Sequence, residues 1–517
     1  MRTVPEILRY RAQQQRDDAA LWHDGRATSY RELDRRSNLV ADALVRAGLT
    51  PGQRVCVLDK GHDFFFEVIF GIGKAGGVFT PVNWRLAPPE IAFVVDDAEA
   101  PFLFVGADFA AAVEQIEGDL QSVRHIVAWD GAARGRSWID YEEFLSGAEA
   151  IDPRRDGDES DTAWQLYTSG TTGHPKGAEL THTNLCAAMA TGLLGFGGVR
   201  SGDTGLVCMP LYHIGGSGYA LALLYAGARL VIMREADPTR ILELIEAEGI
   251  QHAFMVPALL NFLVQHPRAA QTDFTSLKTL VYGASPIPEE LLATCIRVFG
   301  CDFVQAYGLT ETTGALVTLA PRDHVVGSKR LRACGQPVFG CDLRIVSPSG
   351  EPCGPNEVGE ILMRGALVMK GYWKRDEANA QCLRDGWFRS GDAGYLDEDG
   401  FLYIHDRVKD MIVSGGENVY PAEVESVLYA HPAVADVAVI GVPDDKWGES
   451  VKAVVVRVAG ATATKEEIID YCRDKIAGYK RPRSVDFVDA LPRNPTGKIL
   501  KRELRAKYWE GKTRQVN

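Results

Sequence analysis

The residues best suited to chemistry sit in one short stretch, residues 167–177, "YTSGTTGHPKG". It carries four Thr/Ser hydroxyls, three Gly and one Lys, and nothing fit to fill a core. That mixture suits phosphate oxygens. Gly170, Gly173 and Gly177 let backbone N–H groups approach an anion closely. Thr168, Ser169, Thr171 and Thr172 add hydroxyl donors, and Lys176 adds a mobile charge. The familiar phosphate loop GxxxxGK[ST] does not fit, because Lys176 follows Pro175 and precedes Gly177. The context differs as well. "TAWQLYTSG" reads as a strand entering a loop, and "GAEL" reads as a strand leaving it. A helix starts only near Thr181, which suits the N-cap of "THTNLCAAMATGL". A helix dipole is therefore not the obvious source of anion affinity. By composition alone, Gly/Ser/Thr/Pro clusters are usually plain exposed loops.

The elements around this stretch alternate. Residues 30–80 give "YRELDRRSNLVADALVRAG", "RVCVLD" and "FFFEVIFGIGKAGG", a helix, a strand and a helix. Between 203 and 310 the short apolar runs "TGLVCMP", "ARLVIM", "HAFMVP" and "TLVYGAS" are separated by helical segments. The expectation is an α/β fold: a large N-terminal domain of mainly parallel sheets layered with helices. Pro288 fits the first turn of a helix over "IPEELLATCIRVFG". From about 335 the texture changes. "GEILMRG" alternates, and "GYLDEDGFLYI" reads as a hairpin turning at Gly400. Beyond Lys409 the chain reads as a compact α+β unit. "VADVAVIGVP" and "ESVKAVVVRV" are its strands, and "TKEEIIDYCRDKIAGY" is a helix capped by Thr464 or a neighbour. The expected division is 1–408 and 410–517, with Lys409 between them.

Composition excludes several functions. The 517 residues are 46% apolar and 24% charged, which is ordinary globular material. A net charge of −13 argues against a nucleic-acid surface. Anionic ligands must then be met by local Lys, Arg and backbone N–H groups. The ten Cys form no CxxC and no Cys/His cluster at metal spacing, so they read as reduced, buried thiols. No apolar run approaches the roughly 20 residues that span a bilayer, and "MRTVPEILRYRAQQQRDD" has no signal-peptide core. A cytoplasmic protein is expected. The oligomeric state is not legible.

Six further strings accompany the first: "PLYHIGG" (210–216), "YGASP" (282–286), "QAYGLTE" (305–311), "WFRSGDAGYLD" (387–397), "DRVKDMIVSGGENVYPAEVE" (406–425) and "PRNPTGKILK" (492–501). Together and in this order they resemble the signature motifs of the adenylate-forming enzymes: acyl-CoA synthetases, luciferases and peptide-synthetase adenylation domains. The resemblance spans nearly the whole chain, and it is strongest to bacterial fatty-acyl-CoA ligases. It implies a two-step reaction. A carboxylate attacks the α-phosphorus of ATP, giving acyl-AMP and pyrophosphate. The thiol of coenzyme A then displaces AMP. Such chemistry needs positioning and charge stabilisation more than covalent help.

The resemblance also implies roles. Thr168, Ser169, Gly170, Thr171, Thr172 and Lys176 would wrap the β- and γ-phosphates. Gly283, Ala284 and Ser285 would leave room for a flat adenine, and Ala306, Tyr307 and Gly308 would line it, with Tyr307 stacking on its face. Thr310 would donate to the α-phosphate, and Glu311, with Thr168, would hold Mg²⁺. Asp392 and Arg407 would contact the ribose. Lys498 would carry adenylation, bridging the carboxylate and the α-phosphate. Tyr212 and His213 are equal candidates to gate an acyl pocket that also includes Gly215 and Gly308. Lys409 would be the hinge of a mobile C-terminal lid that presents Lys498 in one step. Ser414, Gly415 and Gly416 would line the thiol path in the other step, and Tyr479 and Arg481 of "YKRPR" would meet the phosphates of CoA.

The acid is read from what is missing. "PLYHIGGSG" carries no acidic residue for an α-amine, and "FMVPALLNFLVQHP" is largely apolar. An uncharged tail is expected: a medium- or long-chain fatty acid first, an aryl or cinnamate-like acid second. A greasy substrate is compatible with peripheral membrane contact. The competing functions are an acyl-AMP ligase loading a carrier protein, a luciferase-like oxygenase, and a non-catalytic nucleotide sensor. Intact Lys498, Glu311 and Asp392 argue against the sensor. The absence of an attached carrier domain favours free CoA over a carrier.

Overall fold

The computed structural model describes residues 1–168, 175–195, 198–407, 410–414, 417–444, 446–473, 475–493 and 499–510. Lys498, Lys409, Gly415, Gly416 and the loop residues Ser169, Gly170, Thr171 and Thr172 lie outside the described residues.

Short, wholly buried runs such as Arg54–Leu58, Thr204–Val207 and His252–Met255 become parallel strands, because both faces must be covered by helices. They build two large sheets. The nine-stranded sheet is parallel from Asp302–Leu309 through Thr279–Gly283, His252–Met255, Thr204–Val207 and Arg229–Ile232 to Ala19–His23. The eight-stranded sheet is parallel from Thr162–Thr168 through Val78–Pro81, Arg54–Leu58 and Phe102–Val105 to His125–Ala128. Antiparallel strands close one edge of each: Gly314–Leu319 and Gln336–Pro337 in the first, Lys176–Thr181 and Gly371–Tyr372 in the second. Helix Tyr30–Arg46 starts where Ser29 Oγ accepts from Glu32 N (3.2 Å) and buries Leu33, Val40, Ala41 and Leu44 along one face. It packs close to Phe64–Lys74 because Gly71 has no Cβ. One built there would lie 2.5 Å from Val40 Cβ.

A third sheet is antiparallel and contains Cys341–Val346, Gly359–Gly365, Trp387–Leu396 and Leu402–Arg407. Its last hairpin is the one expected, with Gly400 at φ +77° and Asp397 Oδ1 accepting from Asp399 N (3.0 Å) and Phe401 N (2.8 Å). A smaller C-terminal domain wraps helices around Val434–Asp444 and Gly448–Arg457, over a core of Val437, Val439, Val451, Ala453 and Val455. The architecture is therefore the expected one, a large N-terminal α/β domain with mainly parallel sheets and a small α+β C-terminal domain.

Two local expectations shift. Pro288 is the N-cap of Glu289–Phe299 rather than a first-turn residue. Its ring leaves the turn before the helix extended. The helix at Thr464 is capped as expected, with Glu467 N on Thr464 Oγ1 (3.2 Å) and Glu467 Oε2 on Thr464 N (2.8 Å). It ends at Tyr471, not near 479. Cys472, buried in the small-domain core, caps it. All ten Cys are free, and most are buried. Among the described residues no helix is long and apolar enough to cross a membrane.

The first helix, Val4–Gln14, is pinned to the segment before Thr162 by a buried ion cluster. Arg9 Nη1 and Nη2 donate to Asp156 (2.7 and 2.8 Å), and Thr3 Oγ1 donates to the same carboxylate (2.7 Å). Burial alone would raise the Asp156 pKa, but these hydrogen bonds outweigh it and hold the carboxyl at about 2. Because this group ionises more readily folded than unfolded, its contribution is complete above about pH 4 and is lost as pH falls toward the folded value. Thermal melts between pH 5 and 2 should therefore show a steeper loss of Tm in the native chain than in Asp156→Asn. Parallel curves would show that the cluster adds nothing.

Candidate active site

Two paired strands flank the glycine-rich stretch. Thr162–Thr168 pairs antiparallel with Lys176–Thr181, and Thr168 stands directly opposite Lys176. A buried polar clamp stiffens the pair. Gln165 Oε1 accepts from Arg54 Nε (2.8 Å), Gln165 Nε2 reaches Tyr167 Oη (3.1 Å), and Tyr167 Oη donates to Asp97 Oδ2 (2.7 Å). Arg54 also bonds Glu179 (2.8 Å) and lies 3.4 Å from the centre of the Trp373 ring. Gly177 leaves room for the Gln165 side chain: a Cβ would fall 2.6 Å from Gln165 Nε2 and would displace it.

"QAYGLTE" runs along Asp302–Leu309 into a tight turn, Thr310–Thr312. Thr312 Oγ1 accepts from Leu309 N (2.8 Å) and donates to Gly314 O (2.9 Å). Gly308 lets the returning chain pass, since a Cβ there would lie 1.8 Å from Gly314 O. Thr310 and Glu311 are thus held on a rigid corner, and Glu311 is only 8% exposed.

Gly283 ends the strand beside Ala306. A Cβ on Gly283 would lie 2.1 Å from Ala306 O, so the close approach of the two strands already demands glycine. Ala284 follows at φ +65°, a left-handed conformation rare outside glycine, and carries the chain past the strand end to Ser285. Asp392 is 6% exposed, and Tyr307 Oη donates to its Oδ2 (2.8 Å). The expected adenine-stacking ring and the expected ribose carboxylate are therefore direct neighbours. Ser390 Oγ accepts from Asp392 N (3.0 Å), and Gly391 turns the chain at φ +69°. Arg407 stands opposite Asp392 in the ladder.

"PLYHIGG" leaves the strand Thr204–Val207 and enters helix Ile214–Ala226, with His213 at the N-cap. Tyr212 is buried, its ring centroid 4.2 Å from that of His213 and edge-on to Trp84 (6.3 Å). Arg85 Nη1 donates to its oxygen (3.3 Å), and burial pushes the hydroxyl up to about 12. Gly216 packs against Pro210 O, where a Cβ would lie at 2.2 Å, and Gly215 faces Phe254. Below them Leu206, Cys208, Gly215, Gly216, Tyr219 and Phe254 line an apolar recess too narrow to admit a water molecule.

One segment that sequence reasoning missed ties these parts together, residues 366–373. Asn184 Nδ2 donates to Ala366 O (2.7 Å) and Val368 O (2.9 Å). Thr313 Oγ1 donates to Leu367 O (2.7 Å), and Met369 N donates to Glu311 O (2.8 Å). Gly371–Tyr372 then adds as an edge strand to Lys176–Thr181. Tyr372 Oη donates to Glu311 Oε1 (2.7 Å), and Lys176 Nζ lies over its ring at 5.2 Å. The expected phosphate lysine and metal carboxylate thus share one tyrosine. The only signal in the sequence was an aromatic pair after "VMKG".

The small domain supplies less. Ser414 is buried at the end of Ile412–Ser414. Tyr479 is exposed and Arg481 half-buried. The basic cluster around them is partly neutralised, because Lys480 Nζ bonds both oxygens of Glu423 (2.7 and 2.8 Å). Elsewhere, His23, His62 and Asp63 group their ligating atoms within 4.8 Å. Both Asp63 oxygens are taken by Arg26 (2.6 and 2.8 Å), and His23 Nδ1 donates to Ile232 O (3.1 Å). That cluster is a closed structural network.

Tyr372 thus links a corner carboxylate to a lysine beside the glycine-rich stretch, and Tyr307 is bonded to Asp392. Residues 8–373 match the family model described as AMP-binding enzyme, and residues 423–498 match its C-terminal domain. The chain belongs to this family of adenylate-forming enzymes. It is 39% identical over 521 residues to a fatty acid–[acyl-carrier-protein] ligase, ScoC, of Streptomyces coeruleorubidus, covering 100% of this chain and 98% of that protein. It is 40% identical over 490 residues to a feruloyl-CoA synthase of an Amycolatopsis species, covering 95% and 96%. The crystal structure of the anthranilate CoA ligase AuaEII in complex with anthranoyl-AMP superposes with a TM-score of 0.91 at 28% identity, covering 98% and 97%.

The Asn184 clamp is open to test. Removing it takes the side-chain donor from the Ala366 and Val368 carbonyls, at a cost of about 0.5–1.5 kcal/mol per bond. Asn184→Ala should lower the urea midpoint correspondingly and weaken ATP binding about tenfold by titration calorimetry. Unchanged ATP affinity would mean that segment 366–373 is held in place by its other bonds.

Proposed function

We propose that the chain joins a carboxylic acid with an uncharged tail to the thiol of coenzyme A, through an acyl-AMP intermediate. The first-choice acid is a medium- or long-chain fatty acid. The observation that carries this reading is the convergence of Lys176, Tyr372 and Glu311 beside the Tyr307–Asp392 pair. A triphosphate, a metal and a nucleoside each have a suited partner there.

In this reading Lys176 and the glycine-rich stretch hold the β- and γ-phosphates while pyrophosphate leaves. Glu311 and Thr168 offer hard oxygen donors, which fit Mg²⁺; the ion would neutralise charge on the phosphates. Thr310, on the same rigid corner as Glu311, donates to the α-phosphate. Tyr307 supports adenine, and Asp392 with Arg407 holds the ribose. Lys498 supplies charge where the carboxylate meets the α-phosphorus. Residues 1–408 form the body and 410–517 a lid hinged at Lys409. Rotation of that lid would exchange Lys498 for the Ser414–Gly416 face, which lines the path of the thiol. The cytoplasm is the proposed location.

The acyl tail would enter past Tyr212 and His213 toward Gly215 and Phe254. A fatty tail suits these apolar walls, while the tightly closed recess favours a compact aryl acid as the second reading. A carrier-bound thiol is the alternative acceptor, supported by the carrier-protein ligase relative.

Pyrophosphate release should be measured across fatty, aryl and amino acids with ATP, Mg²⁺ and CoA. Lys498→Ala should slow carboxylate-dependent release by about 10²–10³, yet still convert supplied acyl-AMP to thioester. Loss of both half-reactions would refute the division of labour between Lys498 and the Ser414–Gly416 face. If no acid turned over, a non-catalytic nucleotide-binding protein would be the better reading.

Phe254→Ala should raise kcat/KM for the next longer acid about tenfold relative to the native optimum, the size of a single pocket-methylene effect. An unchanged length profile would place the acyl tail elsewhere.

A further inference from the structure

Tyr372 stands between the two charges that matter most for the triphosphate. Its hydroxyl donates to Glu311 Oε1 at 2.7 Å, and its ring face receives Lys176 Nζ at 5.2 Å. Its backbone is fixed from both sides: Gly371 and Tyr372 pair with Glu179 and Ala178, and Asn379 Oδ1 accepts from Tyr372 N (2.6 Å). Glu311 is fixed too, through Met369 N on its carbonyl. The carboxylate is 8% exposed and would be costly to leave misdirected. The Tyr372 hydroxyl restrains Oε1 and occupies none of the lone pairs of Oε2.

We propose that Tyr372 is a positioning residue for nucleotide capture. Its hydroxyl aims Glu311 at the divalent cation, and its ring holds Lys176 on the phosphate side of the hairpin. The inference rests on the proposed reading of Glu311 and Lys176 as metal and phosphate partners. It goes beyond that reading by making the two interdependent through one side chain. The hydroxyl and the ring have separable effects. Losing the hydroxyl alone frees Glu311 but leaves Lys176 its aromatic partner. Losing the ring frees both.

The test compares Tyr372→Phe, Tyr372→Leu, Glu311→Gln and the double variant Tyr372→Phe/Glu311→Gln. ATP affinity is read by titration calorimetry with and without Mg²⁺, inorganic pyrophosphate affinity likewise, and folding by thermal melts. Tyr372→Phe should weaken ATP binding about tenfold with Mg²⁺ and leave it unchanged without the ion, a change typical of one charge-assisted hydrogen bond. Half-maximal Mg²⁺ for pyrophosphate release should rise by a similar factor, with kcat at saturating Mg²⁺ within about threefold. In the Glu311→Gln background the Phe substitution should have no further effect. Tyr372→Leu should in addition weaken pyrophosphate binding.

Equal losses with and without Mg²⁺, or additive losses in the double variant, would overturn the proposal, because Tyr372 would then be acting on the fold and not through Glu311. The same holds if Tyr372→Phe binds Mg²⁺-ATP normally. A native chain whose ATP binding ignores Mg²⁺ would defeat the reading of Glu311 itself, and the proposal with it. Should Tyr372→Leu fail to fold, the Phe variant and the double variant still decide the hydroxyl's role.

Discussion

The arrangement of the site depends on how the backbone of residues 366–373 is held. This segment leaves the antiparallel sheet at Gly365 and becomes an edge strand of the eight-stranded sheet at Gly371. Between those points its carbonyls and amides are taken by Asn184, Thr313 and Glu311, which come from an adjoining helix and from the corner that follows the nine-stranded sheet. Three sheets are thereby fixed relative to one another by hydrogen bonds to an irregular chain. An irregular segment cannot satisfy its own polar groups, and a buried one must borrow partners. Under the proposed reading, the partners it borrows are the parts that must stay aligned around a nucleotide.

That reliance explains which features the sequence could and could not disclose. Strands such as Thr204–Val207 and His252–Met255 are legible because apolar runs between helical patterns have few other solutions. The caps at Thr181 and Thr464 are legible because Thr at the head of a helical pattern is a local signal; both caps form, paired with Asn184 and Glu467. The seven motif strings place the nucleotide residues by resemblance, and Tyr307 with Asp392 shows that two of them do meet. Tyr372 and Asn184 were not legible. Tyr372 meets Glu311 and Lys176, 61 and 196 positions away, and Asn184 bonds carbonyls 182 and 184 positions away; periodicity reports which face a residue lies on, never such a partner. The helix ending at Tyr471 rather than near 479 was hidden for a similar reason. The chain turns at Cys472, its buried C-cap, within a pattern that local propensity would have continued.

Glycine shows the same limit from the other side. Gly283 was read as making room for adenine, and the structure shows that a neighbouring carbonyl already excludes any side chain. Gly308 is demanded in the same way by the Gly314 carbonyl, while Gly177 makes room for the Gln165 side chain. A glycine in a motif therefore need not touch a ligand. It can serve by letting two strands approach closely, so that under the proposed reading the residues beside it, here Ala306, Tyr307 and Lys176, would reach the nucleotide from a fixed frame.

The charge balance makes that frame necessary. The chain carries a net −13, so the field of the whole molecule opposes a triphosphate. Local cations must be held in place to overcome it, since a flexible lysine loses entropy and is readily claimed by nearby carboxylates. Lys480 illustrates the second outcome, drawn onto Glu423 at 2.7 Å. Lys176 is kept from it by a hairpin stem bolted through Gln165 and Arg54, and by an aromatic face that attracts the ammonium without neutralising it. Under the proposed reading the remaining charge, Lys498, comes from the other domain. The large domain can then hold nucleotide rigidly through both half-reactions, while the small one exchanges the groups that each step requires. Preorganised electrostatics and a moving lid are compatible because they belong to different bodies.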